Sequence, residues 1–361
     1  MAAIRKPAVV APAAALVIVL GAGLSEGSDA NQRPAPTLVR ARYLMGTVFR
    51  FEAPVEGDGA GVGESLESAL DEVQRLETLL SNWRDDSELS LLNARSGQGA
   101  VPVSPELFEV VESALRWARL TGGAFDPTVE PLTRRFRERT LPRSSGAIGS
   151  PIRGISSVVG WRRVSMDPVR RTIALPEGGG LDLGGIGKGY ALDRAGRVLA
   201  VRGIHAALLD AGGQILAMGT PPGEFGWRVD VADPEDRNRP AYEFLLRDAS
   251  AATSGNTVRP GEIINPATGA PLAETLTATA IAPDGTSADA LSTALFVMGP
   301  ERGEAWALHR DDLRVLYLKP AARPGKAPRF TGTLPQAPER HLLIITSRQA
   351  TAHRSLHAEI R

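Results

Sequence analysis

The sequence predicts an α+β fold in which mixed sheets pack against helices, and three observations carry that expectation. Short alternating apolar runs at Ala206–Leu209, Trp227–Val231, Tyr242–Leu246, Ala278–Ala282 and Val315–Leu318 are separated by turns and helical stripes. With 361 residues, 43% of them hydrophobic, the chain can bury a full core as one large domain or two closely packed lobes. No fixed-period repeat suggests a solenoid or propeller.

Residues 1–30 have the order of a secretory signal: Arg5 and Lys6, an apolar run from Ala8 to Ala22, then polar Ser25–Ala30. The run is short for a membrane span, and an uncleaved anchor is the alternative. Export would place the protein in the periplasm or on the outer face of the cytoplasmic membrane. Residues 31–39 read as a linker and 40–335 as the folded domain. Within it, Arg40–Glu52 reads as a strand and Pro54–Gly63 as a glycine-rich loop. A helix over Glu64–Leu80 carries a core stripe of Leu66, Leu70, Val73, Leu76 and Leu80. A second, Ser104–Thr121, has Ser104 as N-cap and Pro105 in its first turn, and buries Phe108, Val111, Leu115 and Ala118. The tight turn at Gly122–Asp126 follows, where Asp126 suits an Asx-turn or a ligand equally. Arg134–Arg153 reads as a basic, solvated surface loop. Residues 336–361 are a mostly polar tail expected to be partly disordered.

Composition excludes several classes of function. Lysine plus arginine equal aspartate plus glutamate at 41 each, so net charge argues for neither nucleic acid nor an anionic membrane surface. The chain has no cysteine, which rules out disulfides, thiolate metal sites, a cysteine nucleophile and a lipoprotein anchor.

Two segments point to chemistry. Asp182-Leu-Gly-Gly-Ile-Gly-Lys-Gly-Tyr190 follows a short apolar strand and leads into a helix over Tyr190–Val201. Gly184, Gly185, Gly187 and Gly189 would let backbone N–H groups approach an anion near a helix N-terminus, with Lys188 supplying charge. The segment is not a P-loop, which needs a glycine in place of Asp182 and Ser or Thr after the lysine, and a purely structural turn is the alternative. The second segment, Ser287–Met298, reads as a helix capped by Ser287 and closed by Gly299-Pro300. Asp289 and Thr293 share one face of it. That pair suits a hard divalent cation, although a dipole-compensating Asp and a back-bonded Thr would look the same.

These segments belong to an ordered series: Leu44-Met-Gly-Thr47, Leu80-Ser-Asn-Trp83 with Ser87–Asn93, Thr121–Thr128, Asp182–Asp193 and Asp210–Gly213. The series continues with Trp227 and Asp233-Pro234, Ala252–Gly255, Ile263–Pro266 with Thr268-Gly269, and Asp289–Thr293. In them the chain, from about Arg42 to about Thr333, resembles the ApbE family of FAD:protein FMN transferases. The resemblance implies an ApbE-like flavin transferase fold and FAD contacts from Met45, Trp83, Ala124, Phe125, Asp126, Asp182, Lys188, Ile263 and Ile264. It also implies Mg²⁺ held by Asp289, Thr293 and the backbone carbonyl of Gly187. The implied reaction moves FMN from FAD to a Thr or Ser hydroxyl of an acceptor subunit in a membrane or periplasmic redox complex, releasing AMP.

One position departs from the family pattern. Glu262 stands where the family carries a histidine, and Asn265 where it carries Asp. Histidine accepts a proton readily near neutral pH, whereas glutamate does so well only when burial makes it more basic. Glu262 as base, with Lys188 stabilising developing charge, is therefore the expected catalytic pair. An FAD-binding accessory protein and a pyrophosphatase giving FMN and AMP are the alternatives. His205 and His309 are expected to pack or face solvent, and His341, His353 and His357 fall in the tail.

Overall fold

The computed structural model describes residues 36–55, 59–140, 158–256, 261–321, 328–334, 343–346 and 350–352. The N-terminal signal, most of the linker and residues 141–153 of the expected surface loop lie outside these, as do the three tail histidines. Among the described residues no helix is long and apolar enough to cross a membrane.

The expected strand at Arg40–Glu52 is two strands, β1 (Thr37–Leu44) and β2 (Thr47–Pro54), paired antiparallel. Met45 and Gly46 turn the chain between them with φ of 48° and 77°. Positive φ at both positions matches the twist of a two-residue hairpin. No Asn-Gly or Asp-Gly announces it. The Met45 N–H donates to Glu77 Oε1 at 2.8 Å, which ties the turn to α1 (Ala60–Leu80).

Next come α2 (Glu88–Ala94), β3 (Ala100–Pro102) and α3 (Pro105–Leu120), the last capped by Ser104 as expected. The expected basic loop begins instead as a helix, α4 (Glu130–Thr140). Then follow β4 (Ser165–Asp167), β5 (Thr172–Ala174), α5 (Gly187–Val201), β6 (Ala207–Ala211), β7 (Gln214–Met218), β8 (Trp227–Ala232) and β9 (Pro240–Arg247). The chain continues through β10 (Ala249–Gly255), β11 (Thr277–Ala282), α6 (Gly285–Ala307), β12 (Arg314–Lys319), β13 (Arg329–Gly332), β14 (Leu343–Thr346) and β15 (Ala350–Ala352).

An eight-stranded antiparallel sheet in the order β1-β2-β6-β7-β10-β11-β12-β13 divides the molecule. Strand alternation separates its two faces. Ala278, Ala280, Val315 and Tyr317 point to the side holding the buried residues of α1, α5 and α6. Ile281, Leu316 and Leu318 point to the other side, where Trp227, Val229, Phe244 and Leu246 of a four-stranded sheet, β15-β14-β9-β8, cover them. The tail thus supplies two short strands, and β14 pairs parallel to β9.

The helix expected to be capped by Ser287 starts one turn earlier. Asp284 is its N-cap and accepts from the Ser287 N–H at 2.7 Å. Gly299, at φ 74°, breaks the helical geometry before Pro300, so α6 kinks where an end was expected and resumes to Ala307. The Tyr317 hydroxyl donates to the carbonyls of Leu295 and Gly299 at the kink.

Candidate active site

The site grows from the crossing of α5 and α6. A Cβ on Gly189 would lie 2.0 Å from the Gly285 carbonyl oxygen, so only glycine lets the two N-terminal turns approach this closely. Each helix then caps the other. Asp193 of α5 accepts from the N–H groups of Gly285 and Thr286 at 2.6 and 2.8 Å, and Asp289 of α6 accepts from the Gly189 N–H at 2.9 Å. Burial raises the Asp193 carboxyl to about 6, against the opposing hydrogen bonds from Thr286.

The turn ahead of α5 is largely self-satisfied, which corrects the expectation of a row of anion-binding amides. Gly184 N–H donates to Asp182, those of Ile186 and Gly187 to the Leu183 carbonyl, and that of Gly189 to Asp289. The amides of Gly185 and Lys188 have no partner among the described residues. The glycines serve close approach instead. A Cβ on Gly185 would stand 2.9 Å from Thr293 Oγ1 and 3.3 Å from the Phe125 ring. Beside Gly187 a Cβ would meet nothing within 4 Å.

These contacts bring Phe125 and Thr293 to Gly185 and Asp289 to Gly189, with Gly187 between the two glycines in the chain. Asp289 is 5% exposed and has no ion-pair partner among the described residues. A buried carboxylate without an ion-pair partner is costly, and a hydroxyl one turn on completes a pair of oxygen donors of the kind a hard divalent cation accepts. The residues present therefore fit Mg²⁺. Ser254 joins them: its hydroxyl lies 2.8 Å from Ser292 Oγ and 3.4 Å from Thr293 Oγ1. The sequence placed Ser254 in a motif but did not single it out.

A second group forms around Asp182. Its Oδ2 accepts from Thr133 Oγ1 at 2.6 Å and lies 3.7 Å from Arg137 Nη1. The Arg137 guanidinium sits over the Trp83 ring, 5.0 Å from its centre, and Trp83 is 74% exposed. Lys188 is half-buried on the first turn of α5 and has no ion-pair partner among the described residues.

Asp126 forms an Asx-turn. Its Oδ1 accepts from the N–H and hydroxyl of Thr128, and its Oδ2 from the Trp161 N–H at 3.1 Å. Burial pushes this carboxyl up, and the Thr128 bonds pull it back. Ala124 packs beside Phe125 at the edge of the main core. Met45 sits on the β1–β2 turn.

Glu262 lies on the loop that follows β10, and it is exposed. The Ile263–Ile264 strand is reduced to one bridge, Ile264 with Pro271. Ile264 packs with Leu132 of α4, and Asn256 donates to the Leu272 carbonyl at 2.6 Å. His205 and His309 are exposed.

Comparisons with known proteins agree in one direction. A sequence model of the ApbE family matches residues 45–317. The chain is 32% identical over 307 residues to the FAD:protein FMN transferase of Treponema pallidum, covering 79% of this chain and 85% of that one. For the Escherichia coli FAD:protein FMN transferase the identity is 28% over 312 residues, covering 81% and 88%. Among solved structures, the flavin transferase ApbE from Vibrio cholerae superposes with a TM-score of 0.70 at 26% identity, over 83% of this chain and 97% of that one. The ApbE protein from Thermotoga maritima gives a TM-score of 0.70 at 28% identity, over 78% and 94%.

Proposed function

The chain belongs to the ApbE family, and on that footing we propose that it is an enzyme transferring the FMN moiety of FAD to an acceptor protein with release of AMP. The observation that carries the site is the buried Asp289 carboxylate, which accepts from Gly189 N–H, has no ion-pair partner among the described residues and lies one α6 turn before Thr293.

In this reading a Thr or Ser hydroxyl of the acceptor attacks the phosphorus on the FMN side of the pyrophosphate. The new phosphoester bond forms as the bond to the bridging oxygen breaks, and AMP departs with that oxygen. Mg²⁺ bound by Asp289, Thr293 and the Gly187 carbonyl would neutralise charge on the departing phosphate. Lys188, with the α5 N-terminus behind it, stabilises charge developing on the pyrophosphate. The acceptor hydroxyl's proton passes to Glu262. Glu262 is exposed, so an acceptor docked on the 261–272 loop would supply the desolvation that makes a carboxylate an effective base. The exposure of Glu262 also favours a second reading, in which water takes the acceptor's place and FAD is cleaved to FMN and AMP.

The test mixes purified protein, FAD, Mg²⁺ and an acceptor domain bearing Asp-Gly-Ala-Thr, and looks for flavin fluorescence on the denatured acceptor band. A fluorescent band abolished by EDTA is expected. Glu262→Gln should lower the rate about 100-fold, the usual scale for a general base, and Glu262→His should retain activity. A Gln variant as active as the parent removes Glu262 from the mechanism, and AMP release without acceptor labelling selects the hydrolytic reading. The Arg5–Ala30 composition supports export, with the acceptor in a membrane or periplasmic redox complex. Mass spectrometry of the mature N-terminus from a periplasmic fraction checks this.

A further inference from the structure

The helix that the sequence disguises as a solvated loop touches three separate parts of the site. On one side α4 presents Leu132 and Phe136 to the loop bearing Glu262: Leu132 clusters with Ile264, and a Cβ on Gly261 would stand 3.1 Å from the Phe136 ring. On its other side Thr133 and Arg137 reach Asp182. Arg137 also lies over Trp83 and 4.0 Å from Glu130, a buried carboxylate at the start of the same helix. The guanidinium is thus held between two carboxylates at one end and an indole at the other.

Trp83 is unusual in its exposure. It is the most exposed of the chain's described aromatic side chains counted as large exposed hydrophobics, at 74%, yet one face of its ring is backed by a cation. An indole fixed on one face and open on the other is a ready platform for a planar ring, and fixing it in advance removes part of the ordering cost of binding. We propose that Arg137 is a positioning residue for FAD, holding the Trp83 ring in the orientation on which a planar ring of the dinucleotide stacks. This rests on the assignment of Trp83 to the FAD site. Glu130 fixes the guanidinium from below, and Asp182 sets how far it reaches over the indole.

The test uses the full chain and titrates FAD by calorimetry, with FMN and AMP as separate ligands to tell which ring stacks. Arg137→Ala should raise the Kd and KM for FAD about tenfold while kcat stays within twofold, a split that a general loss of structure does not produce. Arg137→Lys keeps the charge beside Asp182 but loses the planar face, and should fall between. Combining Arg137→Ala with Trp83→Ala should add little to either alone, since the two act as one unit. The weakened half, FMN or AMP, identifies the ring. Unchanged FAD affinity in Arg137→Ala, a fall in kcat alone, or fully additive losses overturns the proposal. So does Trp83→Ala that binds FAD normally, which leaves the transfer reaction untouched. Parent protein that fails to bind FAD would instead sink the functional reading itself.

Discussion

In the proposed site, Asp193 and Asp289 divide stability and chemistry between two residues of one type. Asp289 is buried and Asp193 half-buried, and each caps the opposite helix, but Asp193 takes three donors from α6, counting the Thr286 hydroxyl at 2.5 Å, whereas Asp289 takes one from α5. Asp193 is spent on structure, and Asp289 keeps capacity for a cation. Replacing Asp289 by Ala should abolish Mg²⁺-dependent transfer and cost about 1–3 kcal/mol, because the Gly189 N–H is left buried without an acceptor. Calorimetric Mg²⁺ titration and denaturant unfolding separate the two effects. The Asp193 carboxyl, raised to about 6 by burial, binds its proton more tightly in the folded chain than in the unfolded one. Its contribution is full below the unfolded value near 4 and is lost as pH rises through about 6. Chemical denaturation between those limits should show roughly 2–3 kcal/mol lost to this group as pH rises, and Asp193→Asn should flatten the slope.

Elements differ in how far their sequence announces them. α1 and α3 were legible because leucine, valine and phenylalanine recur at helical spacing and, in α3, Ser104 and Pro105 mark the start. α4 was not, because Arg134, Arg135, Arg137 and Arg139 interrupt its apolar residues and give the composition of a solvated loop. The hairpin at Met45–Gly46 was missed because a non-glycine residue occupies a positive-φ position held by a distant partner, Glu77. Likewise, Asp289 and Thr293 could be paired from their spacing, but the bond from Gly189 to Asp289 spans 100 residues and is invisible to local pattern. Local pattern assigns the glycines of the 184–189 turn to amide contact with an anion, whereas in the fold most of these residues pair their amides within the protein. Their freedom serves contact between α5 and α6 more than contact with an anion. Gly189→Ala is the sharp check. Its methyl group would meet backbone rather than a movable side chain, so the helix crossing must open, and destabilisation above about 3 kcal/mol is expected. A thermal midpoint matching the parent would show that the crossing is looser than drawn.

At the scale of the whole molecule, the large sheet separates the proposed site from the second sheet. Asp289 and Thr293 lie on α6, Lys188 on α5, and both helices belong to one face, while the four-stranded sheet packs on the other. The tail adds to that far layer: β14 aligns Leu343–Thr346 parallel to Phe244–Arg247, covering an edge of β9 that would otherwise present unpaired backbone groups. Truncation after Leu334 should therefore leave the FAD affinity and the FMN transfer rate within about twofold of the parent, since β14 and β15 pair within the four-stranded sheet, across the large sheet from α5 and α6. Its effect should appear instead as a lower thermal midpoint and self-association through the bared β9 edge, read by light scattering at increasing protein concentration. A truncated chain that stays monomeric and equally stable would mean that β14 is dispensable to the second sheet. One that loses FAD binding would mean that the two faces of the large sheet are mechanically coupled, which the separation of the two apolar clusters by a layer of strands argues against.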